Sequence, residues 1–177
     1  MRILFSSYAY PNPWQPGLGT FNRTMIAALA ETHAVRVVAP VAFPVRLSRA
    51  VGTLNSVGVP GVQAEHPVYY YTPKLFRAHY DTFLWWSIQR TLRTAITEFR
   101  PDVVLSYWAH PDGAVAIRAA HEAGLPAVLM VGGSDVLVLG RSGLRRQAIL
   151  QTLHAADAVV AVSQDLARTM LVDGVDV

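Results

Sequence analysis

Short apolar runs alternate along the chain with longer stretches in which apolar residues recur every three to four positions, and these two periods divide it into strands and helices in turn. Ile3 to Phe5 read as a short buried strand, and Phe21, Met25, Ala28 and Leu29 follow at the spacing of one helix face. Val35 to Ala39 make a second strand. Val62 to Thr72 read as a third, with Tyr69, Tyr70 and Tyr71 pairing in a sheet edge rather than stacking on a ligand. From Pro73 to Arg100 the pattern predicts a long helix, because Leu84, Ile88, Leu92, Ala95, Ile96 and Phe99 share a face. Its opposite face is rich in arginine.

Asp102 to Tyr107, Ala127 to Val131 and Ala158 to Val162 complete the strands. The helix after the first of these is capped by Asp112 and stopped by Gly124 and Pro126, the next carries Leu144, Ala148 and Leu153, and Ser163 caps the last. Pro40 to Gly61, rich in Pro, Gly and Ser and holding Arg46 and Arg49, is expected to be a long mobile loop. Strict alternation of strand and helix predicts an α/β fold: a Rossmann-like, doubly wound parallel sheet of about six strands with helices on both faces.

Composition narrows the picture. Hydrophobic residues make up 52% of the 177 and charged ones 15%, against about 25% charged in average proteins. That balance implies a sheet covered on both faces, in one domain or one domain of a larger protein. Cysteine is absent, which excludes disulfides, thiolate metal sites and cysteine nucleophiles. The first six residues are too short for a signal peptide, and no apolar run approaches the roughly 20 residues of a spanning helix, so a cytoplasmic location is expected. Of the 15 basic residues all but Lys74 are arginine, scattered without an aromatic-interleaved stripe. Nucleic acid is therefore a poor partner, and a phosphate-bearing small molecule or an anionic membrane surface a better one.

Ligands of a parallel sheet bind beyond the strands' carboxyl ends, and the segments that follow strands carry the candidate chemistry. Gly17, Leu18, Gly19 and Thr20 open the first helix. Such a loop can admit a diphosphate against free N–H groups and the positive end of the helix dipole, or it can be a plain turn. A dinucleotide fingerprint would need a third glycine at Asn22 and an acidic residue closing the second strand, and a Walker loop would need Gly-Lys-Ser or Gly-Lys-Thr; neither is present. Trp108 to Asp112, Gly132 to Asp135 and Ser163 share the same rim. Ser163 lacks a Gly-x-Ser-x-Gly setting and reads as a cap. Arg141, Arg145 and Arg146 follow the Gly132 turn, where they could meet an acceptor phosphate or form a solvated helix start.

At these residues the sequence resembles the amino-terminal domain of GT-B glycosyltransferases of the retaining family 4 type. The matching parts are the early glycine loop, Arg100-Pro101-Asp102-Val103-Val104 leading to a His-containing turn, Gly132-x-x-Asp135, and Ala156-Asp157-Ala158-Val159-Val160-Ala161-Val162-Ser163. The resemblance implies an acceptor-side domain that works with a second, nucleotide-sugar domain carrying Glu-x7-Glu; the glutamates here, Glu31, Glu65, Glu98 and Glu122, include no such pair. It implies a nucleotide-sugar donor and a sugar or lipid acceptor. His110 would face the transferred sugar as the catalytic-site histidine, while Gly17, Leu18, Gly19, Thr20, Trp108, Gly133, Ser134, Asp135 and Arg141 would line the donor and acceptor site. Neither metal nor cofactor is expected, since the family needs no metal and no Asp-x-Asp occurs.

Two rivals remain at this level: a sugar-nucleotide epimerase or other nucleotide-binding Rossmann domain, and a stand-alone flavodoxin-like binding or interaction module. A separate expectation concerns Leu75, Phe76, Phe83, Trp85 and Trp86, with Arg77, Arg90 and Arg93 nearby. These could dock the long helix peripherally on anionic lipid at the inner face of a membrane, or form core.

Overall fold

The structure is a computed structural model that describes residues 1–48, 57–138, 143–172 and 174. In chain order it runs β1 (Arg2–Ser6), α1 (Thr20–Ala30), β2 (Ala34–Val38), β3 (Val41–Ala42), α2 (Phe43–Ser48), β4 (Gln63–Glu65), β5 (Val68–Tyr69), α3 (Tyr80–Phe99) and β6 (Val103–Tyr107). It continues with α4 (Ala114–Glu122), β7 (Ala127–Val131), α5 (Gly143–Ala155), β8 (Ala158–Ala161) and α6 (Gln164–Val172). Six strands form one parallel sheet in the order β4-β2-β1-β6-β7-β8. The chain leaves β1 toward β2 on one side and returns to β6 on the other, so the order reverses between β1 and β6. At such a switch point the loops diverge and open a crevice at the strands' carboxyl ends.

Alternation along each strand divides the core. Ile3 and Phe5 of β1, Val35 and Val37 of β2 and Ile26 of α1 pack on one face. Leu4, Val104, Leu129 and Val131 meet α3, α4 and α5 on the other, where Ile88, Leu92, Ala95 and Ala120 are completely buried. Removing one such side chain, as in Ile→Ala, costs about 2–5 kcal/mol in well-packed cores. Arg36 is only 6% exposed in β2, and burial of its charge is offset by Glu65 at 2.6 Å and Glu98 at 3.0 Å.

Several elements differ from the sequence expectation, each for a local reason. The stretch from Val62 to Thr72 is not one strand: β4 pairs with β2, the chain kinks at Pro67, and β5 then pairs with β3. Pro40 kinks the partner strand at the matching place. Neither proline can donate to a ladder, so both strands step together into a two-stranded sheet, joined by Ala39 N–H to Glu65 O and Val41 N–H to Pro67 O, both 2.8 Å. The segment from Pro40 to Gly61 includes β3 and α2 rather than loop alone, and residues 49–56 lie outside those described. Helix α3 begins at Tyr80, not Pro73, because Lys74 and Phe76 hold positive φ, +68° and +53°. In α1 the buried face is Asn22 and Ile26, while Phe21 is exposed.

Candidate functional site

Three loops meet at the switch point, those after β1, β6 and β7. Each is tied to its neighbour by a buried carboxylate. Asp112, 2% exposed, accepts the Tyr8 N–H at 2.6 Å through Oδ1, joining the second loop to the first. Asp135, 1% exposed, accepts the Ala109 N–H through Oδ2 and the Gly133 N–H through Oδ1, both at 3.0 Å, joining the third loop to the second. Ser7 Oγ donates to Tyr107 O at 2.9 Å. The two carboxyl groups and the Ser7 hydroxyl thus bind backbone of neighbouring loops and hold the three loops together.

Burial sets the protonation of this cluster. Asp112 is pushed up to about 7 by desolvation, against which the Tyr8 N–H pulls down; its Oδ2 is buried without a hydrogen-bond partner. Asp135 is raised by the same cause, opposed by the surrounding backbone N–H groups. The Tyr8 phenol is pushed up to about 12 by burial and by the nearby Asp112 and Asp135. The sequence reading took Asp112 for a helix cap, and the structure corrects this: α4 has no side-chain cap, and the carboxylate bonds across the crevice instead. Ser163, by contrast, does cap α6, accepting the Leu166 N–H at 3.2 Å.

Trp108 stands at the end of β6 with φ +84°, a strained backbone for a bulky residue. Its N–H donates to Met130 O and its carbonyl accepts from Gly113 N–H. Tyr8 meets it edge-on at 6.2 Å, and Phe21 lies 4.9 Å from Tyr107. Through the Tyr107–Trp108 contact at 6.3 Å the four rings form one cluster at the carboxyl ends of β1 and β6, with Phe21 exposed and Tyr107 buried. The Tyr107 hydroxyl lies where a side chain on Gly132 would point, so glycine there admits the ring.

Of the predicted loop, Gly17 and Thr20 are exposed, Leu18 is half-buried, and the space around Gly17 is open. Gly19 is a different case. It sits at φ +63°, and a side chain there would collide with the Ala9 carbonyl, so its glycine is required by packing of the loop on itself. Asn22, where a dinucleotide fingerprint would place glycine, donates to that carbonyl at 2.6 Å. Gly133 holds φ +100° and Ser134 is exposed. Arg141 lies outside the described residues. Burial, and after it the neighbouring Arg77, lower the guanidinium of Arg145 in the first turn of α5, against the Tyr80 and Tyr8 phenols.

His110 is placed at the rim in sequence but under it in space. Its peptide is extended (φ −140°, ψ 128°) inside a wide, kinked turn from Ala109 to Gly113, and its side chain is 1% exposed. Direct presentation of this imidazole to the crevice is therefore corrected. Nε2 instead lies 3.4 Å from Asp81 Oδ1 on α3, an ion-pair contact; at that distance neither ring nitrogen makes an aligned hydrogen bond. Burial raises Asp81, but His110 and the first-turn N–H groups outweigh it and hold the carboxyl below its usual range. Sequence reasoning missed Asp81 because the pairing spans two elements. Among the described residues no group of three or more His, Cys, Asp and Glu side chains is placed to hold a metal ion.

The chain matches the Glycosyltransferase Family 4 model over residues 16–176. It belongs to that family. TuaC of Bacillus subtilis (strain 168), whose name assigns it to teichuronic acid biosynthesis as a glycosyltransferase, is 28% identical over 177 residues, covering 94% of this chain and 45% of TuaC. Among solved structures, UDP-GlcNAc 2-epimerase from Neisseria meningitidis, determined bound to UDP-GlcNAc, superposes with a TM-score of 0.59 at 15% identity, over 99% of this chain and 44% of that one. The glycosyltransferase SsfS6 from Streptomyces sp. SF2575 gives 0.51 at 15% identity, over 86% and 44%. At these identities the likenesses establish the fold, a GT-B-type Rossmann-like domain, and leave the chemistry open. The family 4 chain spans less than half the length of each of these proteins.

Proposed function

We propose that this domain is the acceptor-side half of a retaining glycosyltransferase, which moves a sugar from a nucleotide-sugar donor to a lipid or polysaccharide precursor. In this reading a second α/β domain carries most of the donor site and closes over the crevice, and neither metal nor cofactor takes part. The protein works in the cytoplasm, peripherally at the inner face of the membrane. The observation that carries the reading is the crevice at the β1/β6 switch point, walled by Tyr8, Phe21, Tyr107 and Trp108 and braced by Asp112 and Asp135. Aromatic walls suit the C–H faces of a sugar, and rigid loops suit a reaction governed by orientation.

Retention places developing charge on the anomeric carbon and the departing diphosphate, so preorganised dipoles at that point lower the barrier. The start of α1 beside Gly17, Leu18 and Thr20 supplies one such dipole. Gly133 and Ser134 border the same space, and Arg145, next along from Arg141, brings a cation to it. His110 enters as a positioning residue, holding the Trp108–Asp112 turn against α3.

The test uses the full-length protein with candidate nucleotide sugars and acceptors, following product by mass spectrometry. Sugar transfer is expected, with Trp108→Ala and Tyr8→Ala each lowering kcat/KM for acceptor by about 10–100-fold while the melting temperature moves little. Nucleotide-sugar binding without turnover would overturn the transferase reading in favour of a binding module, and epimerised donor without transfer would overturn it in favour of an epimerase.

A further inference from the structure

Of the consecutive residues Tyr69, Tyr70 and Tyr71, only Tyr69 lies in a strand; β5 ends there, and the other two continue beyond it. The edge pairing expected for all three is therefore corrected for Tyr70 and Tyr71. Their backbone is pinned to α3 instead. Tyr70 N–H donates to Ser87 Oγ at 3.1 Å, Ser87 Oγ donates in turn to Phe83 O at 2.8 Å, and Tyr80 Oη donates to Thr72 O at 3.0 Å. Phe43, the first residue of α2, is brought alongside by the β3–β5 pairing, in which Ala42 stands opposite Tyr69. The small two-stranded sheet thus carries a set of rings on backbone that other elements hold in place.

These rings form an unbroken series. Tyr69 and Tyr71 stack at 5.5 Å and 26°, Tyr80 meets Tyr71 at 5.2 Å, Phe43 meets Tyr71 at 6.1 Å, and Phe43 stacks on Tyr70 at 5.6 Å and 23°. At its inner end the series joins the crevice. Burial pushes the Tyr69 phenol well above its ordinary range, and the neighbouring Asp112, Tyr71, Tyr8 and Tyr80 add to the rise, which sets Tyr69 beside both the crevice cluster and the outer rings. Tyr8 in turn meets Trp108. Tyr8, Tyr69, Tyr71 and Phe43 are half-buried, whereas Tyr70, backed by Phe43, is 63% exposed. The series therefore leads from the crevice outward to solvent.

We propose that Tyr71, Phe43 and Tyr70 are outer subsites for a carbohydrate chain, so that the acceptor is an oligosaccharide whose terminal sugar lies in the crevice and whose preceding sugars lie along these rings. A sugar ring has apolar C–H faces and a rim of hydroxyls, and tyrosine pairs a flat apolar face with a polar tip. Such side chains give a large contact area at small conformational-entropy cost, and rings already fixed by packing lose still less on binding. A nucleotide offers one flat base, which fills one ring; a chain of sugars fills a series. The inference rests on sugar transfer in the crevice and deepens it by naming the class of acceptor.

Titration of the full-length protein with fragments of the source organism's own polysaccharides, sized from one to about six sugars, tests it. Affinity is expected to rise with fragment length. Tyr70→Ala should weaken the longer fragments about three- to tenfold and leave single sugars unchanged, with circular dichroism and melting temperature as in the parent. Tyr70→Phe, which keeps the ring, should restore most of the loss. Affinity independent of length, unaltered chain binding in Tyr70→Ala, or failure of every fragment to bind overturns the inference. Weakened binding of UDP in Tyr70→Ala assigns the ring to a nucleobase and overturns it as well. Transfer to a one-sugar acceptor, followed by mass spectrometry in parallel, reports on the transferase reading separately: chains bound along the rings without transfer would strike that reading alone, and transfer without any effect of acceptor length would strike the subsites alone.

Discussion

Asp112 ties the loop after β6 to the loop after β1 from a buried position. A carboxyl held near 7 by burial favours the protonated form in the folded chain, whereas the unfolded chain would release that proton at about 3.9. Between those values the folded state binds the extra proton, so this group's contribution to stability is complete below the unfolded value and falls as pH rises toward and through about 7. The upper bound on the loss is about 4 kcal/mol, from roughly three pKa units at 1.36 kcal/mol each. Asp112→Asn removes the titration while leaving an amide oxygen to accept the Tyr8 N–H. Its melting temperature should equal or exceed that of the parent chain at pH 8, and the difference should shrink toward pH 5. A parallel pair of pH profiles would show that Asp112 is not the titrating group. The sequence placed this residue on the rim and read it as a cap, but not as a tie between loops, because its partner is 104 residues away and no local spacing encodes that distance.

At the scale of elements, hydrophobic period was legible wherever one face is buried, and failed where single residues reroute the backbone. The buried stripe Leu84, Ile88, Leu92 and Ala95 of α3 is as read, and so are β1, β2, β6, β7 and the edge strand β8, where Val159 is buried and Val160 exposed. The break of the third strand came from Pro67 meeting Pro40, which is a property of the pair. The late start of α3 came from left-handed Lys74 and Phe76, residue types that give no warning of that conformation. The glycine loop was found for a reason that applies only in part, since Gly19 serves the Ala9 carbonyl and Gly17 alone leaves open space. The amino-terminal turn of α3 also meets the Trp108–Asp112 turn from beneath, where Asp81 lies against the buried His110. If that contact positions the Trp108–Asp112 turn, His110→Ala in the full-length protein should lower kcat of the proposed transfer by about 10–100-fold with donor KM nearly kept. Asp81→Asn should reproduce part of that effect, and His110→Gln should recover part of it. A rate unchanged in His110→Ala, or lost only together with the melting transition, removes His110 from the site.

At the scale of the whole molecule, the chain has two closed apolar cores and an open crevice. Both faces of the sheet carry buried clusters, Phe5, Val37 and Ile26 on one and Leu4, Ile88 and Leu129 on the other. That much apolar burial is what a cooperative domain requires. The crevice differs, because its walls come from loops on one side only, with Ser134, Thr20 and Phe21 exposed to solvent. Transfer needs donor and acceptor held within reacting distance and shielded from water, and a site walled on one side supplies neither the second set of contacts nor the exclusion. The 177-residue chain by itself is therefore expected to melt as a single cooperative transition and to transfer no sugar. Calorimetry checks the first point, and mass spectrometry of the chain with nucleotide sugars and acceptors checks the second. Restoring turnover by adding a separately produced second domain would locate the missing contacts there. Multiple turnovers from the chain alone would mean that the crevice between β1 and β6 is already a complete active site, and that the acceptor-half reading is wrong.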